Sequence, residues 1–368
     1  MTITGLPMAN DKEYWKKVSE QYISAYAAEK AIGHDHRAIK KYVAKFGFEF
    51  RNSKEKEKDA RRAEPPQSTI ITLPPVKLRT YKHPISKKGD EEEAILHLSD
   101  GHAGKITPSF NDDVYNLRMN NIFDGAMKII TLHRNMYPIR KLHILITGDN
   151  IQGENPYQGS KVGSISMGAR DQTIKIAYPA FVTLIASLAQ EFEEVIVECV
   201  AGNHGASKLA PETSKEDLRL YDLIKVYFAT YKNIKINIYE GRSAIVNVND
   251  FRCFIFHGDE VQCQQGVPFF ALDKKLKSWY MQYGGFQYAF GGHFHKRHTD
   301  EISSKLEYFM CGTLVSDDEW AISNIGISSN PTQGIYGMHP TRGVTWRYAL
   351  QVDRSFLPEK FLDKLEKK

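Results

Sequence analysis

Asp100 and His102 stand two residues apart at the end of an apolar run, in Ile95-Leu96-His97-Leu98-Ser99-Asp100-Gly101-His102. A carboxylate and an imidazole at that spacing can grip one metal ion, although the same triplet is also an ordinary turn. Four later stretches repeat the arrangement, each after another apolar run. They are Gly148-Asp149-Asn150, Gly202-Asn203-His204-Gly205, His257-Gly258-Asp259 and Gly291-Gly292-His293-Phe294-His295. Each alone could be a turn with satisfied side chains. The ordered set of Asp-x-His, Gly-Asp, Gly-Asn-His, His-Gly and Gly-His-x-His is specific where its members are not. Mixed carboxylate, imidazole and amide donors suit manganese, iron or zinc better than calcium or magnesium.

The elements that must carry these residues alternate. Strands are expected at Ala94–Leu98, Leu142–Thr147, Val195–Val200, Ala244–Val248, Phe251–Phe256 and Gln287–Phe290. Helices are expected at Asp112–Arg134, Asp171–Gln190, Glu216–Tyr231 and Phe269–Met281. In the second of these, Ile174, Ala177, Tyr178, Phe181, Leu184 and Leu188 form the core side at helical spacing. Alternating strands and helices predict an α/β unit, whose sites lie beyond the carboxyl ends of its strands. The part after Ile302 reads as β-rich, either capping the site or completing the sheets.

Taken together, the five motifs resemble the calcineurin-like metallophosphoesterases, over about Leu96 to Gly312. The resemblance implies an α/β fold of four layers, a β-sandwich flanked by helices, with two divalent metal ions at the strand ends. It implies that Asp100, His102 and His295 hold one metal and Asn203, His257 and His293 the other, with Asp149 bridging both. It implies that His204 contacts the phosphate as general acid, while a hydroxide held between the metals attacks phosphorus in line. Manganese is the favoured metal, with iron, zinc or magnesium as alternatives. The chain departs from the pattern at Gly205, where the family often has an acidic residue that orients the histidine.

Around this unit the chain is divided by composition. Residues 1–50 are expected to be a small all-α domain, 51–90 a charged linker with Pro65-Pro66 and Pro74-Pro75, 91–357 the catalytic domain and 358–368 a charged tail. In the first segment Trp15, Val18, Tyr22, Ile23 and Tyr26 fall at helical spacing, and Ala27–Ile32 runs into Gly33. Asp35 is placed to cap a third helix, with Ile39 and Val43 on one face and Arg37, Lys40, Lys41 and Lys45 on others. This resembles a helix-turn-helix that presents a basic helix to DNA, although Glu29 stands where a small residue is usual. The alternative is a three-helix bundle that docks on its own catalytic domain.

Charge points the same way. The 368 residues carry a net charge of +5. Up to Arg62 there are 14 Lys and Arg against 9 Asp and Glu, and the remainder holds 35 of each. A basic leader on a neutral catalytic part suits a polyanion. Cys199, Cys253, Cys263 and Cys311 have no paired spacing and read as small hydrophobes in a reducing compartment. No apolar run is expected to approach the ~20 residues of a membrane span, and no secretory signal is expected. The expected setting is therefore cytoplasmic, bacterial or phage-infected.

The favoured function is a two-metal DNA phosphodiesterase, an exonuclease or endonuclease, similar in layout to phage and bacterial relatives of the double-strand-break repair nuclease. A phosphatase or small phosphodiesterase with a docking module is the first alternative. A non-catalytic DNA-binding protein with structural metals is the second. DNA is the expected partner, and a homo-oligomer or a partner ATPase stays open. Weaker candidates are Lys105 as a phosphate contact or a solvated lysine, His339 and Arg342 near Trp346 as a nucleic-acid contact or a turn, and Lys296, Arg297 and His298 as a basic rim or ordinary surface. His97 is expected to be packed.

Overall fold

The computed structural model describes residues 12–21, 25, 28, 35–48, 50, 89–154, 163–205, 214–262, 268–318 and 330–354. The chain forms two compact units, Met1–Thr72 and Leu73–Lys368. The expected linker falls almost wholly, and the charged tail wholly, outside the described residues.

In the first unit, α1 spans Lys12–Gln21 and α2 spans His36–Lys45. Trp15, Val18, Ala28, Ile39 and Val43 close a small core, and Trp15 stacks on Tyr42 with ring centroids 5.1 Å apart. Asp35 caps α2, its carboxylate accepting from the Arg37 N–H at 2.8 Å. Arg37, Lys40, Lys41 and Lys45 are all exposed. Of the expected middle helix only Ala28 falls among the described residues.

The second unit is α/β. Strands β1 (Glu93–Leu98), β2 (Lys141–Ile146), β3 (Glu194–Val200) and β4 (Ile234–Tyr239) run parallel and adjacent. The connections between them contain α3 (Asp112–Arg134), α4 (Tyr178–Ala189) and α5 (Glu216–Phe228). Strands β10 (Thr332–His339) and β11 (Gly343–Gln351) extend the sheet antiparallel past β1, in the order β11-β10-β1-β2-β3-β4. The second sheet has the order β5-β6-β7-β9-β8, built from Ser243–Val248, Phe251–Phe256, Tyr288–Gly291, Leu306–Met310 and His298–Ser303 respectively. Helix α6 (Phe269–Gln282) precedes β7. The part after Ile302 thus completes both sheets.

Alternation along the strands sorts the core into layers, because successive side chains leave opposite faces. Ala94, Leu96 and Leu98 pack under the three crossover helices with Ile144, Val197, Phe181 and Tyr221. Ile95, Leu145 and Val200 point the other way and meet Ile255, Phe290 and Phe309 of the second sheet. On its far side that sheet buries Phe254 and Phe256 against Leu272, Leu276 and Trp279 of α6. The result is the expected four-layer α-β-β-α sandwich.

Two sequence readings needed correction. Strand β4 was not anticipated, although Ile234, Ile236 and Ile238 alternate with polar residues. Helix α4 continues from a short helical turn, Ala169–Asp171, through a π-helical stretch, Gln172–Ala177. The extra residue in a π turn rotates the inward face. Gln172, Thr173 and Ile176 are therefore buried, and Ile174 is not. The run Ala169–Ala189 is long and apolar enough to cross a bilayer by length and composition, with an 18-residue window of mean hydropathy 1.3. Here those apolar residues supply the first core.

Phe290 is fully buried between the sheets, stacked on Phe309 at 5.0 Å and edge-on to Tyr336 at 5.4 Å. Phe290→Ala is expected to lower stability by about 3–5 kcal/mol, as measured by denaturant unfolding.

Candidate metal centre

β1, β2 and β3 run parallel, as do β6 and β7, so within each sheet these strands finish at one edge. The two edges meet. The His257 Nδ1 lies 2.7 Å from the Thr147 carbonyl beyond β2, and the His293 N–H donates to Asp100 Oδ2 at 2.9 Å. The loops beyond β1 and β2 are zipped together by backbone hydrogen bonds. Asp100 N–H donates to the Gly148 carbonyl at 3.0 Å, His102 N–H to Asp149 at 3.0 Å, and Ala103 N–H to Asn150 at 2.8 Å.

Two groups of donors converge at this edge. One atom each from Asp100, His102 and His295 lie within 4.8 Å of one another, and so do atoms from Asp149, His257 and His293. In the first group the His102 and His295 Nε2 atoms are 2.9 Å apart, with Asp100 Oδ1 3.3 Å from His295. In the second, His257 Nε2 is 3.0 Å from Asp149 Oδ2, 3.0 Å from Asn203 Oδ1 and 3.3 Å from His293 Nδ1. All seven residues expected as ligands thus lie in one or the other convergence. The Asp149 charge also acts on Asp100 and His102 of the first group. Imidazole nitrogens, carboxylate oxygens and an amide oxygen at such spacing form a donor set that fits two borderline divalent ions.

The backbone is bent to make this possible. Asp100, His102, Asp149, His293 and His295 all have positive φ, between 50° and 73°. Left-handed backbone costs a non-glycine residue roughly 1–2 kcal/mol, so the surrounding packing must hold it. Close approach does part of that work. A Cβ on Gly202 would lie 2.0 Å from Asp149 Oδ1, so only glycine lets the third loop pass the second.

Burial and charge set the protonation states. Burial alone would raise the Asp149 carboxyl, but the His257 and His204 imidazoles outweigh it and hold the group well below its ordinary value. Burial would lower His257, yet the Asp149 carboxylate pushes it up to about 10. Burial and the His257 charge push His293 down to about 4. The Thr147 carbonyl can only accept, so the His257 Nδ1 carries hydrogen and Nε2 faces the site.

His204 is buried beside the donors. Its Nδ1 lies 3.1 Å from the Gln152 carbonyl and its Nε2 3.8 Å from Asp149 Oδ2. Its own N–H donates to Asp149 Oδ1 at 2.7 Å.

Sequence reasoning missed Asp217. This carboxylate, in the first turn of α5, is fully buried. Its Oδ2 accepts from the N–H groups of Asp149 at 2.8 Å and Gly202 at 2.9 Å, and its Oδ1 from Asn150 N–H at 3.0 Å. It therefore fixes the backbone of two donor loops. Burial and the neighbouring Asp149 charge push it up to about 6. An acidic residue in a helix's first turn is so common that the sequence carried no signal for it.

The weaker candidates resolve on burial. Lys105 is not solvated: it is 3% exposed and paired with Asp318, and its charge acts on His102 and His204. His339 is buried, its Nδ1 accepting from the Thr341 and Arg342 N–H groups, so it closes a turn. Trp346 donates to Glu92 at 2.8 Å, and Arg342 to the Tyr137 hydroxyl at 3.2 Å. Lys296 and Arg297 are exposed. His97 is packed, 3.0 Å from the Thr147 hydroxyl and edge-on to Phe290.

No family model and no curated protein matches this sequence. The chain is similar to solved phosphoesterases. A predicted phosphoesterase from Streptococcus pneumoniae shares 11% identity over 74% of this chain and 96% of that one, with a TM-score of 0.34. An archaeal phosphodiesterase shares 16% over 70% and 99%, with a TM-score of 0.32. A 5'-nucleotidase from Candida albicans shares 11% over 73% and 52%, with a TM-score of 0.33. At scores this low the chemistry has to be read from this chain's own side chains.

Two outcomes are expected. Asp217→Asn places an amide against backbone donors and should weaken manganese binding about 10–100-fold in isothermal titration calorimetry. Because Asp149 raises the His257 pKa to about 10, a metal must displace the Nε2 proton. Affinity should therefore rise with pH through neutrality. Titrations in buffers of different ionisation enthalpy should report release of about one proton.

Proposed function

We propose that this chain is a two-metal phosphodiesterase that hydrolyses DNA. The observation that carries the reading is the convergence of the Asp100, His102, His295 and Asp149, His257, His293 groups beside a buried His204. Two bound divalent cations would supply a clamp for the phosphoryl oxygens and a water of lowered pKa. Asp100, His102 and His295 would hold one ion, and Asn203, His257 and His293 the other. Asp149 would face both. Manganese, iron and zinc fit this donor chemistry.

His204 has the place of an acid. A carbonyl opposite Nδ1 leaves Nε2 to face the donor cluster. From there Nε2 can donate a proton to the leaving oxygen as its bond to phosphorus breaks. Lys105, buried and paired with Asp318, adds positive charge on the same side.

DNA is favoured by the first unit. Arg37, Lys41 and Lys45 recur every fourth residue and are exposed on α2, while Ile39 and Val43 are buried. That leaves a basic stripe on a helix whose other side is its core. All the net charge of the chain lies on residues up to Arg62.

The test is cleavage of linear single- and double-stranded DNA with manganese, run beside a chromogenic phosphodiester and a phosphomonoester. Metal-dependent cleavage of DNA and the diester is expected. Asp149→Ala and His257→Ala should remove it while DNA binding persists. Turnover of the monoester with DNA untouched would overturn the DNA reading. Combined Arg37→Ala, Lys41→Ala and Lys45→Ala should flatten the salt dependence of DNA binding, by roughly 0.9 in log–log slope for each phosphate no longer neutralised.

A further inference from the structure

The acidic residue that the family often places after the Asn-His pair is absent here, and the structure gives the reason. Gly205 has φ +67°, and a Cβ there would sit 3.0 Å from the Cβ of Glu216. A side chain at 205 would be strained and would press on Glu216, and the glycine there offers His204 no partner of its own. Something else must fix the ring.

The Gln152 carbonyl lies 3.1 Å from His204 Nδ1. A carbonyl orients a ring only if it is itself held, and Gln152 lies in a loop. On one side Gln152 N–H donates to the Ala103 carbonyl at 3.1 Å. On the other, a single side chain grips the next residue. Gln172 Oε1 accepts from Gly153 N–H at 2.9 Å, and Gln172 Nε2 donates to the Gly153 carbonyl at 3.2 Å and the Met167 carbonyl at 2.7 Å. Gln172 is fully buried and lies over Gly104, where a Cβ would meet its Cγ at 2.3 Å.

Gln172 opens the π-helical stretch of α4. Gln172 stands four residues before Ile176 and Thr173 four before Ala177, and all four are buried. Thr173 is buried beside Gln172, and its hydroxyl donates to Glu216 Oε2 at 3.0 Å. The stretch thus binds the loop beyond β2, packs on the loop beyond β1 and binds the start of α5. π turns inside helices are frequent at functional sites.

We propose that Gln172 is the positioning residue for His204. By clamping Gly153 it holds the Gln152 carbonyl on Nδ1 and aims Nε2 at the leaving oxygen, in place of the missing acidic side chain. The inference rests on the hydrolytic reading only for what His204 does, and not for what holds its ring.

The test is Gln172→Met, which keeps the length and removes all three hydrogen bonds. It is read in the full chain by two measurements. The first is nitrogen NMR of histidine-labelled protein with zinc added, a diamagnetic probe, with His204 assigned by its loss in His204→Asn. Wild type should show hydrogen fixed on His204 Nδ1. Gln172→Met should show a mixture of tautomers at unchanged metal content. An Nε2–H tautomer in wild type, or an unchanged His204 signal in the variant, would overturn the proposal whether or not any ester is cleaved.

The second measurement separates leaving groups. With manganese, Gln172→Met should lower kcat/KM about 10–100-fold for a diester with a poor alkoxide leaving group, and less than about twofold for a nitrophenyl diester that needs no acid. In a His204→Asn background the same change should have no further effect. Equal losses on both esters, or a full loss in the His204→Asn background, would show a general structural role and overturn it. If wild type cleaves no ester, the hydrolase reading fails and the tautomer result still decides what positions His204.

Discussion

The Asp149 carboxylate is the interaction on which the strand ends depend. It is 1% exposed, and burial of a lone carboxylate would be costly. Its partners remove that cost. One oxygen accepts from the His204 N–H and the other faces His257. The charge in turn sets the imidazoles around it, holding a proton on His257. A cation would take over the role that the His257 proton plays without it. The site is therefore a balance of buried charges whose members cannot be exchanged singly.

That balance needs five loops to meet, and the means are mostly backbone. Asp217 accepts from the main chain of two loops. The first two loops zip to each other, and the loop after β9 joins them, with Leu314 N–H and the Thr313 hydroxyl both donating to the Asp100 carbonyl. Arg118 of α3 grips that loop in turn, through the Leu314 carbonyl and the Ser316 hydroxyl. Each donor side chain is thus anchored by main-chain geometry beneath it, which keeps several ligands in place before an ion arrives.

The π-helical turn serves the same anchoring. Within it Gln172 binds Gly153 of the loop beyond β2 and Thr173 binds Glu216 of α5. The helix keeps its core face further on, at Phe181, Leu184 and Leu188. Contacts to the strand-end loops are thus built into the first turns of a helix that is otherwise core.

The sequence by itself determined the strand–helix alternation and the donor residues. One such run ending beside glycine is an ordinary turn, but five in order are specific, and α3 and β6 fall where their patterns end. The caps of local helices were legible too, as Asp35 shows. Only the tertiary structure decided what holds the donors. Asp217, Gln152 and Gln172 act through main-chain hydrogen bonds between segments far apart in the chain, and a main-chain partner leaves no residue-type signature. The burial of Lys105 beside Asp318 was likewise out of reach, since 213 residues separate them. The face of α4 was misread for a related reason: periodicity assumes a constant turn, and the π stretch changes the turn.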